Sequence, residues 1–124
     1  MQKIDTVMAF YGAWANNDLD GSLALCTEDL VWDAVPLKPF EGKEKVRSFL
    51  EKFAVGMSDQ RYDIKNTLED GDLLMIEGVE NYKKNGHQVS IPYMAIFRFQ
   101  GDKISEMRDY FDLKTVEQQL GLTN

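Results

Sequence analysis

The segment Ile104-Ser-Glu-Met-Arg-Asp-Tyr-Phe-Asp-Leu113 sets a carboxylate where a strand would point inward. Residues two apart share a face of a β-strand, so Met107, Asp109 and Phe111 look the same way. An Asp between two large apolar side chains loses water, which disfavours its ionised form and raises its pKa. Set in a pocket, such a group can take or give a proton near neutral pH. The same pattern also fits an Asp that pairs with an Arg or caps the turn that follows, and this segment alone leaves both roles open.

Other chemistries find less support. One His, one Cys and no clustered ligand spacing argue against a metal site, and a lone Cys26 excludes an internal disulfide. No Gly-rich phosphate loop or nucleotide fingerprint is present, so no cofactor is expected. A net charge of -7 argues against nucleic acid or an anionic membrane as partner. With 44% hydrophobic and 28% charged residues, the 124-residue chain reads as a single globular domain spanning residues 1–124. No apolar run approaches the roughly 20 residues of a membrane span. No signal peptide is visible, and a cytoplasmic location is expected.

The elements that must position Asp109 follow from periodicity. Ile4, Val7, Met8, Tyr11 and Ala15 recur at helical spacing and give one apolar stripe. Asn16-Asn17 ends this helix, and Asp18 suits the N-cap of a short second one holding Leu19, Leu23 and Cys26. Leu30–Val35 reads as a short strand, and Pro36–Gly42 as a turn-rich connection to a third helix with Val46, Phe49, Leu50 and Phe53 on its buried face. Beyond it, Asp70-Gly71, Asn85-Gly86 and Gly101-Asp102 punctuate four extended segments of a meander. Gly78 and Pro92 interrupt two of these where bends or bulges are cheapest.

A two-residue turn at Asn85-Gly86 pairs Lys84 with His87 and so sets Tyr82 opposite Val89, Glu80 opposite Ile91 and Gly78 opposite Tyr93. Val89, Ile91, Tyr93, Ala95, Phe97 and Phe99 then form the interior face, and Glu80 and Gly78 come with it. In the last hairpin a one-residue slip would reverse every side chain. The register that gathers the apolar residues on one side sets Asp109 opposite Tyr93, Met107 opposite Ala95 and Phe111 opposite Ile91. Gly78, Tyr93 and Asp109 then share one row, with Glu80 one step diagonal and Gly78 leaving room for a ligand. Trp14, Trp32, Phe53 and Tyr93 could line this pocket or belong to an ordinary core. The opposite face carries Met75, Val79, Met94, Ile96 and Ile104, which suggests a homodimer interface.

Several strings resemble the nuclear-transport-factor-2-like superfamily, and within it the limonene epoxide hydrolase and SnoaL-type polyketide cyclase group. Asn17-Asp-Leu-Asp-Gly21 looks like the link between its first two helices, and Glu28-Asp-Leu-Val-Trp32 like the start of its first strand. Val35-Pro-Leu-Lys-Pro-Phe-Glu-Gly42 is similar to a Met-Pro-Leu-Pro-Pro segment of the epoxide hydrolases, and Met107-Arg-Asp-Tyr-Phe-Asp112 to their Trp-Arg-Asp-Tyr-Phe-Asp ending. The resemblance implies a cone-shaped α+β roll: N-terminal helices packed on a strongly curved, mostly antiparallel sheet. It implies that Asp109 matches one catalytic Asp of the epoxide hydrolases and the acid/base Asp of the cyclases, while Glu80 takes the place of a second Asp. The Arg that bridges the two in epoxide hydrolases falls on Gly78, and their water-holding Tyr and Asn fall on Trp32 and Ala34. In the ketosteroid isomerase template the general base falls near Asp33, and the oxyanion-hole groups fall on Phe10 and Ala95.

The expected function is a cofactor-independent acid/base enzyme of isomerase, cyclase or hydrolase type acting on a small hydrophobic ligand. Asp109 would be the principal proton carrier and Glu80 or Asp33 the second. Trp32, Tyr93, Gly78, Trp14, Phe53, Met107 and Phe111 would form the substrate-binding surface. A non-catalytic binding or dimerisation module of the same fold is the alternative, with true epoxide hydrolysis a weaker third.

Overall fold

The computed structural model describes residues 2–122. The apolar stripe near the N-terminus becomes α1 (Lys3–Ala15), which buries Val7, Phe10, Tyr11 and Trp14. Asn16 caps it, and Asp18 accepts the Gly21 N–H at 2.9 Å to start α2 (Leu19–Leu23). The second helix was expected to hold Cys26, but it ends at Leu23 and Cys26 opens β1 (Cys26–Val35). Gly21 and Ser22 are weak helix formers, and the Ser22 hydroxyl donates to the Phe10 carbonyl at 2.8 Å, tying α2 to α1. Cys26 is buried, as a core residue should be. The connection after β1 contains a two-residue strand, β2 (Phe40–Glu41), and leads to α3 (Lys43–Phe53), which buries Val46 and Leu50 and packs Phe49 and Phe53 against the core.

Four strands follow: β3 (Met57–Asp70), β4 (Leu73–Lys84), β5 (His87–Gln100) and β6 (Lys103–Tyr110). Asn85 and Gly86 both take the positive φ that a tight hairpin of this kind requires. The sheet order is β2-β1-β6-β5-β4-β3, antiparallel except between β1 and β6. This is an α+β roll whose mostly antiparallel, curved sheet is covered on one face by the helices. Along β5 the alternation is complete: Val89, Ile91, Tyr93, Ala95, Phe97 and Phe99 are all buried.

The β4–β5 register follows the expectation, with Glu80 opposite Ile91 and Gly78 opposite Tyr93. The β5–β6 register keeps the expected face but changes the partners. Asp109 lies opposite Ala95 rather than Tyr93, and Met107 opposite Phe97 rather than Ala95. Phe111 lies past the end of β6 and has no strand partner. The physical cause is a bulge. The turn pairs Gln100 with Lys103 and Phe99 with Ile104, and then Arg98 pairs with Glu106, so Ser105 is an extra residue. The Ser105 hydroxyl donates to the Arg98 carbonyl at 3.2 Å. Ile104 and Met107, three apart, can therefore both point inward, and Ile104 is 0% exposed. That corrects its assignment to the outer face, where Met75, Met94 and Leu68 remain exposed.

A last element was not read from the sequence. Asp112 accepts the Lys114 N–H and caps α4 (Leu113–Gln119), which lies against β5. Gln119 clamps it there, accepting from the Ser90 N–H at 2.7 Å and donating to the Ser90 carbonyl at 3.1 Å.

Candidate active site

Between the helices and the sheet lies a cavity of about 260 Å³, lined by side chains from α1, α3, α4 and strands β1 and β3 to β6. The bulge aims Asp109 into it. Its neighbours across the sheet are Ala34 on β1 and Ala95 on β5, two small residues that leave the carboxyl room. Trp32, two residues before Ala34 on the same face, donates its indole N–H to Asp109 Oδ2 at 2.9 Å. Trp32 is itself held among rings, 5.1 Å from Phe49 and 6.0 Å from Phe40 between centroids.

Glu80 enters the same cavity from β4, where its partner across the ladder on β3 is Tyr62. The Tyr62 hydroxyl lies beside the Glu80 carboxyl and favours its ionised form. Tyr62 stacks on Tyr11 with centroids 3.8 Å apart, and the Tyr93 hydroxyl donates to the Tyr11 hydroxyl at 3.0 Å. The three phenols form one cluster beside Glu80. Glu80 sits two interior positions along β5 from the row of Asp109, not the single diagonal step expected.

Both carboxyls are surrounded by protein, although each keeps some exposure to the cavity. Burial pushes Glu80 up to about 7, helped by the charge of Asp109 and opposed by the neighbouring Tyr62 hydroxyl. Burial likewise raises Asp109 to about 6, opposed by the Trp32 N–H and helped by the charge of Asp33. No Lys, Arg or His lines the cavity among the described residues. Without a cation beside them, Asp109 ionises first and its charge favours the protonated form of Glu80.

Of the residues expected at the site, Asp109, Glu80, Trp32, Tyr93, Trp14, Phe53, Met107 and Phe111 all line this cavity. Asp33 does not. Alternation along β1 turns Trp32 and Ala34 inward and Asp33 to the other face, in register with Arg108. Its charge reaches Asp109, but its side chain is not placed to meet a ligand there. Gly78 does not line the cavity either. A Cβ at this position would stand 2.6 Å from the Asp63 carbonyl oxygen and 3.3 Å from Tyr93, so the missing side chain admits the bulged backbone of β3 rather than a ligand. Tyr11 and Tyr62 were missed as polar participants, Tyr11 because it sits in a helical apolar stripe and Tyr62 because β3 has no clear alternation. The α4 residues Leu113, Val116, Glu117 and Leu120 also line the cavity, and the cap at Asp112 was the available signal for them. Among the described residues, no group of three or more His, Cys, Asp or Glu side chains is arranged to hold a metal ion, and no helix is long and apolar enough to cross a membrane.

A helix-covered roll whose apolar cavity holds two carboxyls defines the class of small α+β domains with an internal cavity. The model of the SnoaL-like domain matches residues 7–107, and the chain belongs to that family. Solved structures agree on the fold. An epoxide hydrolase of M. tuberculosis resembling limonene epoxide hydrolase is 24% identical, with a TM-score of 0.83 over 95% of this chain and 88% of that one. A candidate polyketide cyclase of Pseudomonas putida KT2440 is 25% identical, with a TM-score of 0.85 over 96% and 98%. A nuclear-transport-factor-2-like protein of unknown function from Burkholderia pseudomallei K96243 is 22% identical, with a TM-score of 0.83 over the whole of both chains.

Proposed function

We propose that this SnoaL-like domain is a cofactor-independent enzyme that moves protons on a small, largely apolar substrate, by isomerase, cyclase or hydrolase chemistry. The observation that carries the reading is that Asp109 and Glu80 face one apolar cavity with their pKa values raised into the working range of general acid/base catalysis. Asp109, whose anion the Trp32 N–H stabilises, gives up its proton first and serves as the base. Glu80 keeps its proton longer and serves as the acid. The phenols of Tyr11, Tyr62 and Tyr93 stay protonated, because burial holds all three above the ordinary tyrosine value, and they can donate to a developing oxyanion.

Known chemistry in similar folds extends to hydrolysis of epoxides, but here Gly78 stands where the resemblance puts a bridging Arg. Epoxide opening by this pair is the least suited of the three chemistries. Gly78, with Phe10 and Ala95 at further catalytic positions of relatives, favours a second reading: a ligand-binding module that retains the cavity without the reaction. A panel of epoxides, enones and polyketide-like substrates, assayed with wild type and Asp109→Asn, separates the two. Turnover lost in Asp109→Asn supports catalysis; binding without turnover in the wild type supports the module.

The same proposal includes a homodimer. Leu68, Met75, Ile96, Met94 and Tyr110 bring apolar area to the outer face of β3 to β6, four of them well exposed. A C2 pairing of this face would cover them.

A further inference from the structure

The lining of the cavity contains charge of one sign only. Asp109 and Glu80 sit within it and Glu117 on α4 joins them, while no basic side chain contributes among the described residues. The other walls are dominated by rings. Trp32, Phe49, Phe53, Tyr62, Tyr93 and Phe111 present faces or edges from β1, α3, β3, β5 and the segment after β6. Lys84, which does not line the cavity, donates its ammonium to the Phe53 and Val55 carbonyls at 2.7 Å and lies 5.0 Å from the centroid of the Phe53 ring. It is engaged by backbone oxygens and not by the two carboxyls.

We infer that the ligand of this cavity is an organic monocation: a tertiary or quaternary amine with apolar substituents, its nitrogen held between the Asp109 and Glu80 carboxyls and the surrounding rings. The inference rests on the proposed site and names its substrate class. Aromatic faces attract a cation through their quadrupole, most strongly where water is excluded. A carboxyl pair carrying about one net negative charge matches one positive charge, and the remaining apolar wall suits hydrophobic substituents. A neutral ligand would leave the paired acids uncompensated, and an anionic one would add a third like charge in a low-dielectric space. The net charge of -7 draws the same class of ligand toward the protein.

The test uses matched probes: benzyltrimethylammonium, its neutral isostere neopentylbenzene, and benzenesulfonate as the anion. Binding is followed through the fluorescence of Trp14 and Trp32, both in the cavity wall. The ammonium should bind roughly tenfold or more tightly than the isostere, and the sulfonate weakest. In the doubly substituted Glu80→Gln, Asp109→Asn protein the preference for the ammonium should fall to the smaller part that the rings supply while neopentylbenzene still binds, which shows the cavity intact. Equal or tighter binding of the neutral or anionic probe, a preference undiminished by the double substitution, or no binding of the ammonium at millimolar concentration would each overturn the inference. The catalytic reading fails separately. Selective ammonium binding with no turnover of any substrate leaves the ligand class standing and removes the enzyme, whereas Asp109-dependent turnover of neutral substrates alone does the reverse.

Discussion

Asp109 and Glu80 are held in a way that costs stability, and that cost has a sign. Each has a folded-state pKa above its ordinary value, so the folded protein binds more protons than the unfolded chain between about pH 4 and 7. The favourable contribution is complete below the unfolded values and is lost as pH rises through about 6 and then about 7. Thermal melts should therefore show wild type losing stability relative to Glu80→Gln, Asp109→Asn across this window, by on the order of a few kcal/mol. Parallel curves for the two proteins would show that the carboxyls are not buried as described. Trp32→Phe removes the indole donor but keeps a ring. It should raise the pKa of Asp109 further and move the acid limb of any pH–rate profile upward, with kcat/KM reduced at neutral pH. Asp109 was legible at this scale because a carboxylate between Met107 and Phe111 stands out in a strand. Asp33 entered through the ketosteroid isomerase resemblance, and alternation along β1 turns it away from the cavity that Trp32 and Ala34 line.

At the scale of elements, one extra residue decides the chemistry. Without the bulge at Ser105, residues 106–110 would exchange faces, and Arg108 would enter the cavity in place of Asp109. That exchange needs Ser105 kept and paired with Arg98. Deletion of Ser105 instead leaves Arg98 opposite Glu106 and Asp109 inward, so the deletion variant should stay folded and keep its Asp109-dependent turnover. A folded variant without turnover would contradict this register. Gly78→Ala should destabilise by about 1–3 kcal/mol in denaturant titration, because backbone rather than a movable side chain meets the new Cβ. The interior face of β6 could be chosen from sequence by gathering its apolar residues. Its partners could not, since a bulge leaves no mark that distinguishes Ser105 from its neighbours. The Asn85-Gly86 hairpin was the opposite case: its turn chemistry fixes a two-residue loop, and every pair along β4 and β5 follows. Helix α4 escaped because seven residues give too few turns for periodicity to register.

For the whole molecule, the fold was readable because its levels agree: helices first, then turn signals spaced for a meander, then local strings shared with one superfamily. The cavity arises from the same arrangement. A curved sheet cannot be filled by flat helices without leaving space, and Ala34 and Ala95 enlarge that space around Asp109. The outer face leads to a separate expectation. If two copies pair through the sheet, Met75→Glu and Met94→Glu together should convert a dimer to a monomer by light scattering while the cavity and its ligand binding persist. A wild-type protein that is monomeric at micromolar concentration would remove the dimer from the account.

Two carboxyls with raised pKa values line one largely apolar cavity. Carbon-detected NMR titration of the Asp109 and Glu80 carboxyls tests this without knowledge of the substrate. The account predicts transitions near 6 for Asp109 and near 7 for Glu80, with that of Glu80 moving toward the ordinary range when Asp109 is replaced by its amide. Independent transitions near 4 for both groups would contradict it.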